Sequence, residues 1–167
     1  MLDWALDQDK HPVYITIPSG PVVHAEGPVR TNFDALNTYE VTRKGSKVAV
    51  LALGDFYDLG EKTVEALSST LGIEATLVKP YFASGVDQNL LDNLVKDHDV
   101  IVTIEDGIIE GGWGQNIASY LGTSPARVLN YGVKKAFYDR VNIADLMRES
   151  HLDPELIAAD VKQVLGL

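Results

Sequence analysis

Short apolar runs alternate along this chain with stretches whose apolar residues recur every three or four positions. "VAVLAL" (48–53), "EATLV" (74–78), "VIVTI" (100–104) and "ARVLNY" (126–131) are β-branched and continuous. Such runs predict strands covered on both faces of a parallel sheet. "PVYITIP" (12–18) reads as a further strand bounded by prolines, and "YEVTR" (39–43) alternates as an edge strand does.

Helical spacing fills the intervals. In "DLGEKTVEALSSTL" the residues Leu59, Val64, Leu67 and Leu71 share one face, and Asp58 with Glu61 has the form of a capping pair. In "DQNLLDNLVKDHD" Asp87 is placed to cap a helix whose stripe is Leu90, Leu91, Leu94 and Val95. "DPEL" starts the last helix, with Asp153 as cap, Pro154 at its first position, and Ile157, Val161 and Val164 facing the core. The β–α–β order predicts right-handed crossovers and a three-layer α/β/α sandwich.

The N-terminal part differs. "MLDWALDQ" has the pattern of a helix end, with Trp4 and Leu6 lacking a core of their own. With the strand at 12–18 it reads as the tail of a preceding domain, so the chain is expected to be a piece of a longer protein. The proline- and glycine-rich region 19–38 reads as a linker, and 39–167 as the α/β domain proper.

Charge narrows the function. The net charge is −10 with no basic cluster, a field that opposes nucleic acid. There is no cysteine, hence no disulfide and no thiolate chemistry. The N terminus lacks a signal-peptide pattern, and no apolar run reaches the ~18 residues of a membrane span. A cytoplasmic protein with neither a nucleic-acid nor a membrane partner is expected.

The stretch "VTIEDGIIEGGWG" (102–114) holds four glycines and three carboxylates behind an apolar run. Its glycines miss the G-x-G-x-x-G spacing of a dinucleotide turn, and Trp113 and Gly114 stand where a phosphate loop needs lysine and a hydroxyl. Glu105, Asp106 and Glu110 would repel an anion. The stretch is therefore expected to be a packing turn that starts a helix close to the sheet, or an exposed contact loop anchored by Trp113. Glu105 and Asp106, adjacent on a strand end, point to opposite faces and cannot share a substrate.

Other candidates yield less. Gly54-Asp55-Phe56 lacks the last glycine of a G-D-G cofactor motif, and Asp55 or Asp58 reads as a helix cap. His11, His24, His98 and His151 are far apart, with no metal-ligand spacing. His98 in "KDHD" is expected at a solvated helix end, and His24, in the linker, is the one worth testing. Tyr131, Phe137 and Tyr138 are expected in the core or an interface. No catalytic residue, cofactor-binding residue or metal ligand is assigned.

The segments "PVYITIPSG", "KVAVLALG", "LVKP", "VIVTIEDGIIEGGWG", "VLNYGV" and "LDPELI" together resemble the C-terminal domain of transketolase-like, thiamine-diphosphate-dependent enzymes. Within that group the chain is most similar to the 1-deoxy-D-xylulose-5-phosphate synthases. The resemblance implies a mixed five-stranded sheet with one antiparallel strand, "YEVTR". It also implies that thiamine diphosphate and Mg belong to domains preceding this one, with no cofactor in this chain. The expected role is non-catalytic: packing on those preceding domains and supporting a homodimer, with Glu105, Asp106, Glu110 and Trp113 as contact residues.

Two departures stand out. Thr16 replaces an arginine that binds substrate phosphate in such synthases, and Thr76 replaces an arginine before "KPLD", where "KPYFASGVD" is inserted. Both weigh against sugar-phosphate use and leave open a synthase-like paralogue or a relative with a different aldehyde or keto-acid substrate. The alternatives are the β-subunit end of a 2-oxo-acid dehydrogenase E1 component and a free-standing module binding a small anion.

Overall fold

A computed structural model describes residues 1–17 and 29–167. They form two units, Met1–Leu36 and Asn37–Leu167. In the first, helix α1 (Leu2–Asp7) has no buried residue. Trp4 is nevertheless not idle: its ring meets Phe33 edge-on at 5.9 Å, and its Nε1–H donates to Asp34 at 2.8 Å. The guanidinium of Arg30 lies 5.0 Å from the Phe33 centroid, so an aromatic pair with a cation beside it helps to hold this small unit. Leu6 stays exposed.

The predicted strand at 12–18 is not formed over 12–17, and Pro18 lies outside the described residues. Alternation alone does not make a strand; a ladder partner must accept its hydrogen bonds. No strand among the described residues pairs with this segment, and Tyr14 and Ile17 face solvent. His24 and most of the expected linker also lie outside the described residues.

The second unit is the α/β domain. Its elements are β1 (Glu40–Arg43), β2 (Lys47–Ala52), a 3₁₀ turn (Gly54–Phe56), α2 (Tyr57–Leu71), β3 (Thr76–Lys79), α3 (Gln88–Asp97), β4 (His98–Ile108), α4 (Trp113–Tyr120), β5 (Arg127–Val133), α5 (Ile143–Glu149) and α6 (Pro154–Leu165). The five strands lie in the order β1-β3-β2-β4-β5. β1 runs antiparallel to β3, and the other pairs are parallel. This is the mixed sheet with one antiparallel edge that the resemblance implied.

Period-two alternation divides the core. Val48, Val50, Val100, Val102 and Ile104 face α2 and α6, where Val64, Leu67, Ile157 and Val161 meet them. Ala49, Leu51, Val78 and Ile101 face α3 and α4, against Leu91, Leu94, Trp113 and Ile117. Of the predicted α6 stripe, Val164 is only partly buried. The chain goes from β2 outward to β3, then back across to β4. This reversal puts a topological switch point at the C-terminal ends of β2 and β4, the place where open α/β sheets bind ligands.

The helix starts test the capping signals. Asp153 accepts from the amides of Glu155 and Leu156, and Asp87 from that of Leu90 at 3.0 Å, both as expected. Asp87 also takes the Tyr39 amide at 2.9 Å, tying α3 to the start of β1. The expected caps at the start of α2 are not there: Phe56 occupies the cap position without a side-chain bond. Asp58 lies within the helix and pairs with Lys62 one turn on, and Asp55 belongs to the 3₁₀ turn. The 3₁₀ turn feeds its own backbone bond into the helix, which removes the need for a side-chain acceptor.

His98 is a further correction. It is buried at the head of β4 rather than solvated. Its Nδ1 lies 2.8 Å from the Leu94 carbonyl and must donate there, so Nε2 accepts from the Thr76 hydroxyl at 2.8 Å. Thr76 in turn accepts the Gly45 amide at 2.9 Å. Thr76 thus joins three segments inside the fold.

Candidate functional site

The switch point is lined by the turn after β2 and by the end of β4. The alternation of β4 sends Ile101, Thr103 and Glu105 towards α4 and leaves Asp106 on the outside. Glu105 therefore sits under the first turn of α4, with only 6% of its surface exposed. One carboxylate oxygen accepts the Trp113 amide and the other the Gly114 amide, both at 2.8 Å. A buried carboxylate needs such donors, and the first amides of a helix need an acceptor. Each satisfies the other, and the helix dipole favours the negative charge.

The glycines make this possible. A Cβ on Gly114 would lie 2.4 Å from Thr103 Oγ1 and 3.2 Å from Glu105 Oε1. A Cβ on Gly112 would lie 2.5 Å from the Ile108 carbonyl oxygen and 2.6 Å from Glu105 Oε1. Gly111 adopts φ +83°, and its amide donates to Gln115 at 2.6 Å. The turn is a close-approach device, as expected. What the sequence did not reveal is that the chain supplies its own anion to it. A phosphate would find the amides of Trp113 and Gly114 already taken.

Trp113 is not an exposed anchor. It is 3% exposed, stacks edge-on with Tyr39 at 5.9 Å, and donates its Nε1–H to the Tyr39 hydroxyl at 3.0 Å. That hydroxyl donates onward to the Gly85 carbonyl at 2.9 Å. Burial pushes the Tyr39 phenol up to about 12. The inserted segment around "KPYFASGVD" is thereby attached to α4 through one tyrosine. Nothing in the spacing of residues 39, 85 and 113 announces that meeting.

Of the four residues expected to form one contact surface, two face inward. Glu105 and Trp113 are consumed inside the chain, while Asp106 and Glu110 remain exposed. Glu110 accepts the Lys135 amide at 2.9 Å. Burial, with the charge of Asp55 second, holds the Asp106 carboxyl above its ordinary value of 3.8. A carboxyl raised in the folded state adds stability that is complete below the ordinary value and lost as pH rises through the raised one. Asp106→Asn is therefore expected to raise the melting temperature at pH 7 and to leave it little changed below pH ~4. Thermal melts across that range check it.

Among the described residues no three His, Cys, Asp or Glu side chains gather as a metal centre. His151 contacts Asp160 at 2.8 Å, and Tyr131 donates to the same carboxylate at 3.0 Å. Tyr131 and Asp160 line a groove of about 450 Å³ together with Leu129, Asn130, Gln163 and Val164. Tyr131 is buried in the core, its phenol pushed up by burial and then by the Asp160 charge. Phe137 and Tyr138, by contrast, are exposed. No helix among the described residues is long and apolar enough to cross a membrane.

Geometry defines an α/β domain, covered on both faces, whose helix start after β4 is capped by its own glutamate. The family described as "Transketolase, C-terminal domain" matches residues 37–157, and the chain belongs to that family. A 1-deoxy-D-xylulose-5-phosphate synthase of Pseudoalteromonas translucida is 33% identical over 93% of the chain and 24% of its own length. One from Clostridium tetani is 28% identical over 99% and 26%. The chain thus spans about a quarter of these relatives. Among solved structures, a split-gene transketolase, recorded as an inactive β4 tetramer, superposes with a TM-score of 0.74. It is 24% identical over 87% of this chain and 47% of its own. A transketolase of Pichia stipitis gives 0.54 at 16% identity, covering 77% of this chain and 18% of that one. These two show the shared fold.

Proposed function

We propose that this chain serves as the C-terminal domain of a thiamine-diphosphate-dependent transferase of the 1-deoxy-D-xylulose-5-phosphate synthase type. The supporting observation is that such synthases align along nearly its whole length, across both units and not the α/β domain alone. The parent, a cytoplasmic enzyme, takes a two-carbon unit from a 2-oxo acid or ketose and passes it to an aldehyde. Thiamine diphosphate and Mg are bound by the preceding domains and supply the carbanion chemistry. This domain packs on those domains and supports the dimer. Glu105 favours that division of labour, because it already occupies the first amides of α4, the donors that an anionic ligand would use.

The test is the parent enzyme expressed from its complete reading frame. It is expected to form 1-deoxy-D-xylulose 5-phosphate only with thiamine diphosphate and a divalent metal present. A reading frame that encodes no cofactor-binding domain, or a complete enzyme that forms no such product, overturns the proposal.

A further inference from the structure

Three consecutive residues of β5, Leu129, Asn130 and Tyr131, line the groove beside α6, together with Asp160, Gln163 and Val164 of that helix. Successive side chains of a strand point to opposite faces, so three in a row share a groove only where it opens along the strand's edge. The α6 residues are spaced i, i+3 and i+4, which puts them on one face of the helix. The groove therefore runs between a strand edge and a helix face. β5 is the last strand of the sheet, and no strand among the described residues pairs with its outer side.

The two edges of the sheet are built differently. β1 has four residues, a register break between Val41 and Arg43, and an ion pair from Arg43 to Glu74. Shortness, irregularity and charge are what keep an edge from accepting a further strand. β5 has seven residues, holds an unbroken parallel register with β4 from Arg127 to Tyr131, and carries no charge after Arg127. Two ties frame the groove beside it. At one end the Arg127 guanidinium donates to the Val164 carbonyl. At the other the Tyr131 hydroxyl donates to Asp160 Oδ2 at 3.0 Å, and His151 Nδ1 meets the same oxygen at 2.8 Å. Asp160 Oδ1 makes no hydrogen bond to a described residue. Leu129 and Val164 are only partly buried.

A row of unpaired backbone donors and acceptors is matched best by another backbone. Leu129 and Val164 offer an apolar seat, and Asp160 is the one charged side chain lining the groove. We infer that β5 and α6 form a docking groove for an extended peptide segment of a partner protein, which adds as a strand to the free edge. The segment places an apolar side chain against Leu129 and Val164, and a lysine or arginine at Asp160 Oδ1. At ~3.3 Å per residue, the stretch from Arg127 to Tyr131 spans roughly 13 Å, room for about four or five residues of peptide. The groove is a property of the 167-residue chain itself, and the inference goes beyond the transferase reading without depending on it.

Amide chemical shifts of the isotope-labelled chain test it, titrated with a blocked peptide of alternating valine and threonine that carries one central lysine. The amides of residues 128–132 are expected to shift and to saturate with a Kd of about 0.1–1 mM. A peptide methylated on every backbone nitrogen keeps its side chains but loses its donors, and is expected to bind at least about tenfold more weakly. Glutamate in place of the lysine should weaken binding to the wild type by about fivefold or more. Asp160→Asn, which keeps an acceptor for Tyr131, should remove the difference between the lysine and glutamate peptides. No shift at about 5 mM peptide overturns the inference, as do shifts confined to other residues or equal binding of the methylated peptide. So does equal binding by acetyl-lysine amide alone, which would make the groove a small-molecule site. Shifts of the same amides with protein concentration alone would make a second copy the occupant and overturn it too.

Discussion

Trp113→Ala is expected to destabilise the chain by about 4 kcal/mol, within the range for removing a fully packed aromatic side chain. The indole lies between α4 and the sheet with 3% of its surface exposed, among Leu51, Val78, Leu91 and Ile101. Alanine leaves a cavity that two rigid elements cannot close. It also removes the donor to the Tyr39 hydroxyl, so the link from α4 to the segment around Gly85 loses its first bond. Trp113→Phe should cost less, about 1–2 kcal/mol, because most of the packing survives. Urea unfolding followed by circular dichroism distinguishes the two. A loss below about 1 kcal/mol for the alanine variant would show that Trp113 is not a core residue.

Glu105→Ala should be nearly as damaging, at about 3 kcal/mol, although it removes only a polar group. Two buried amides, those of Trp113 and Gly114, lose charge-assisted partners together, and a cap alone is worth about 1–2 kcal/mol. Glu105→Gln keeps one acceptor oxygen and is expected to lose about 1 kcal/mol. The same geometry predicts chemical rescue. Formate at tens of millimolar should raise the melting temperature of Glu105→Ala while leaving the wild type unmoved, because only the variant has open amides at the helix start. An equal response from both proteins would mean that the carboxylate is not the ligand of those amides.

Much of the fold was readable because its signals are local. A β-branched run needs no distant residue to predispose it to a covered strand, and Asp153-Pro154 carries its helix start within two residues. Asp87 was legible as a cap on the same grounds, although its second bond to Tyr39 was not. The failures are of one kind. At the start of α2 a 3₁₀ turn replaced the expected side-chain cap, and the helix began at Tyr57 rather than at an aspartate. At 12–17 the strand pattern found no ladder among the described residues. His98, read from its charged neighbours, is buried because Leu94 and Thr76 offer its ring two partners from other elements.

The sequence by itself determined the layering of this protein, the antiparallel edge, the family, and the unsuitability of "VTIEDGIIEGGWG" for a phosphate. The layering and the unsuitability for a phosphate follow from periodicity, glycine spacing and charge, all properties of neighbouring residues, whereas the family and the antiparallel edge came from the resemblance of whole motifs. Alternation along β4 even settled that Glu105 and Asp106 part company. Only the tertiary structure decided what each would meet. α4 begins directly over Glu105, so that carboxylate is buried as the helix's own anion, and Trp113 goes with it into the core. Asp106 faces the other way, into solvent. A carboxylate's role depends on which dipoles and donors stand within about 3 Å of it, and that is a property of elements brought together from distant parts of the chain.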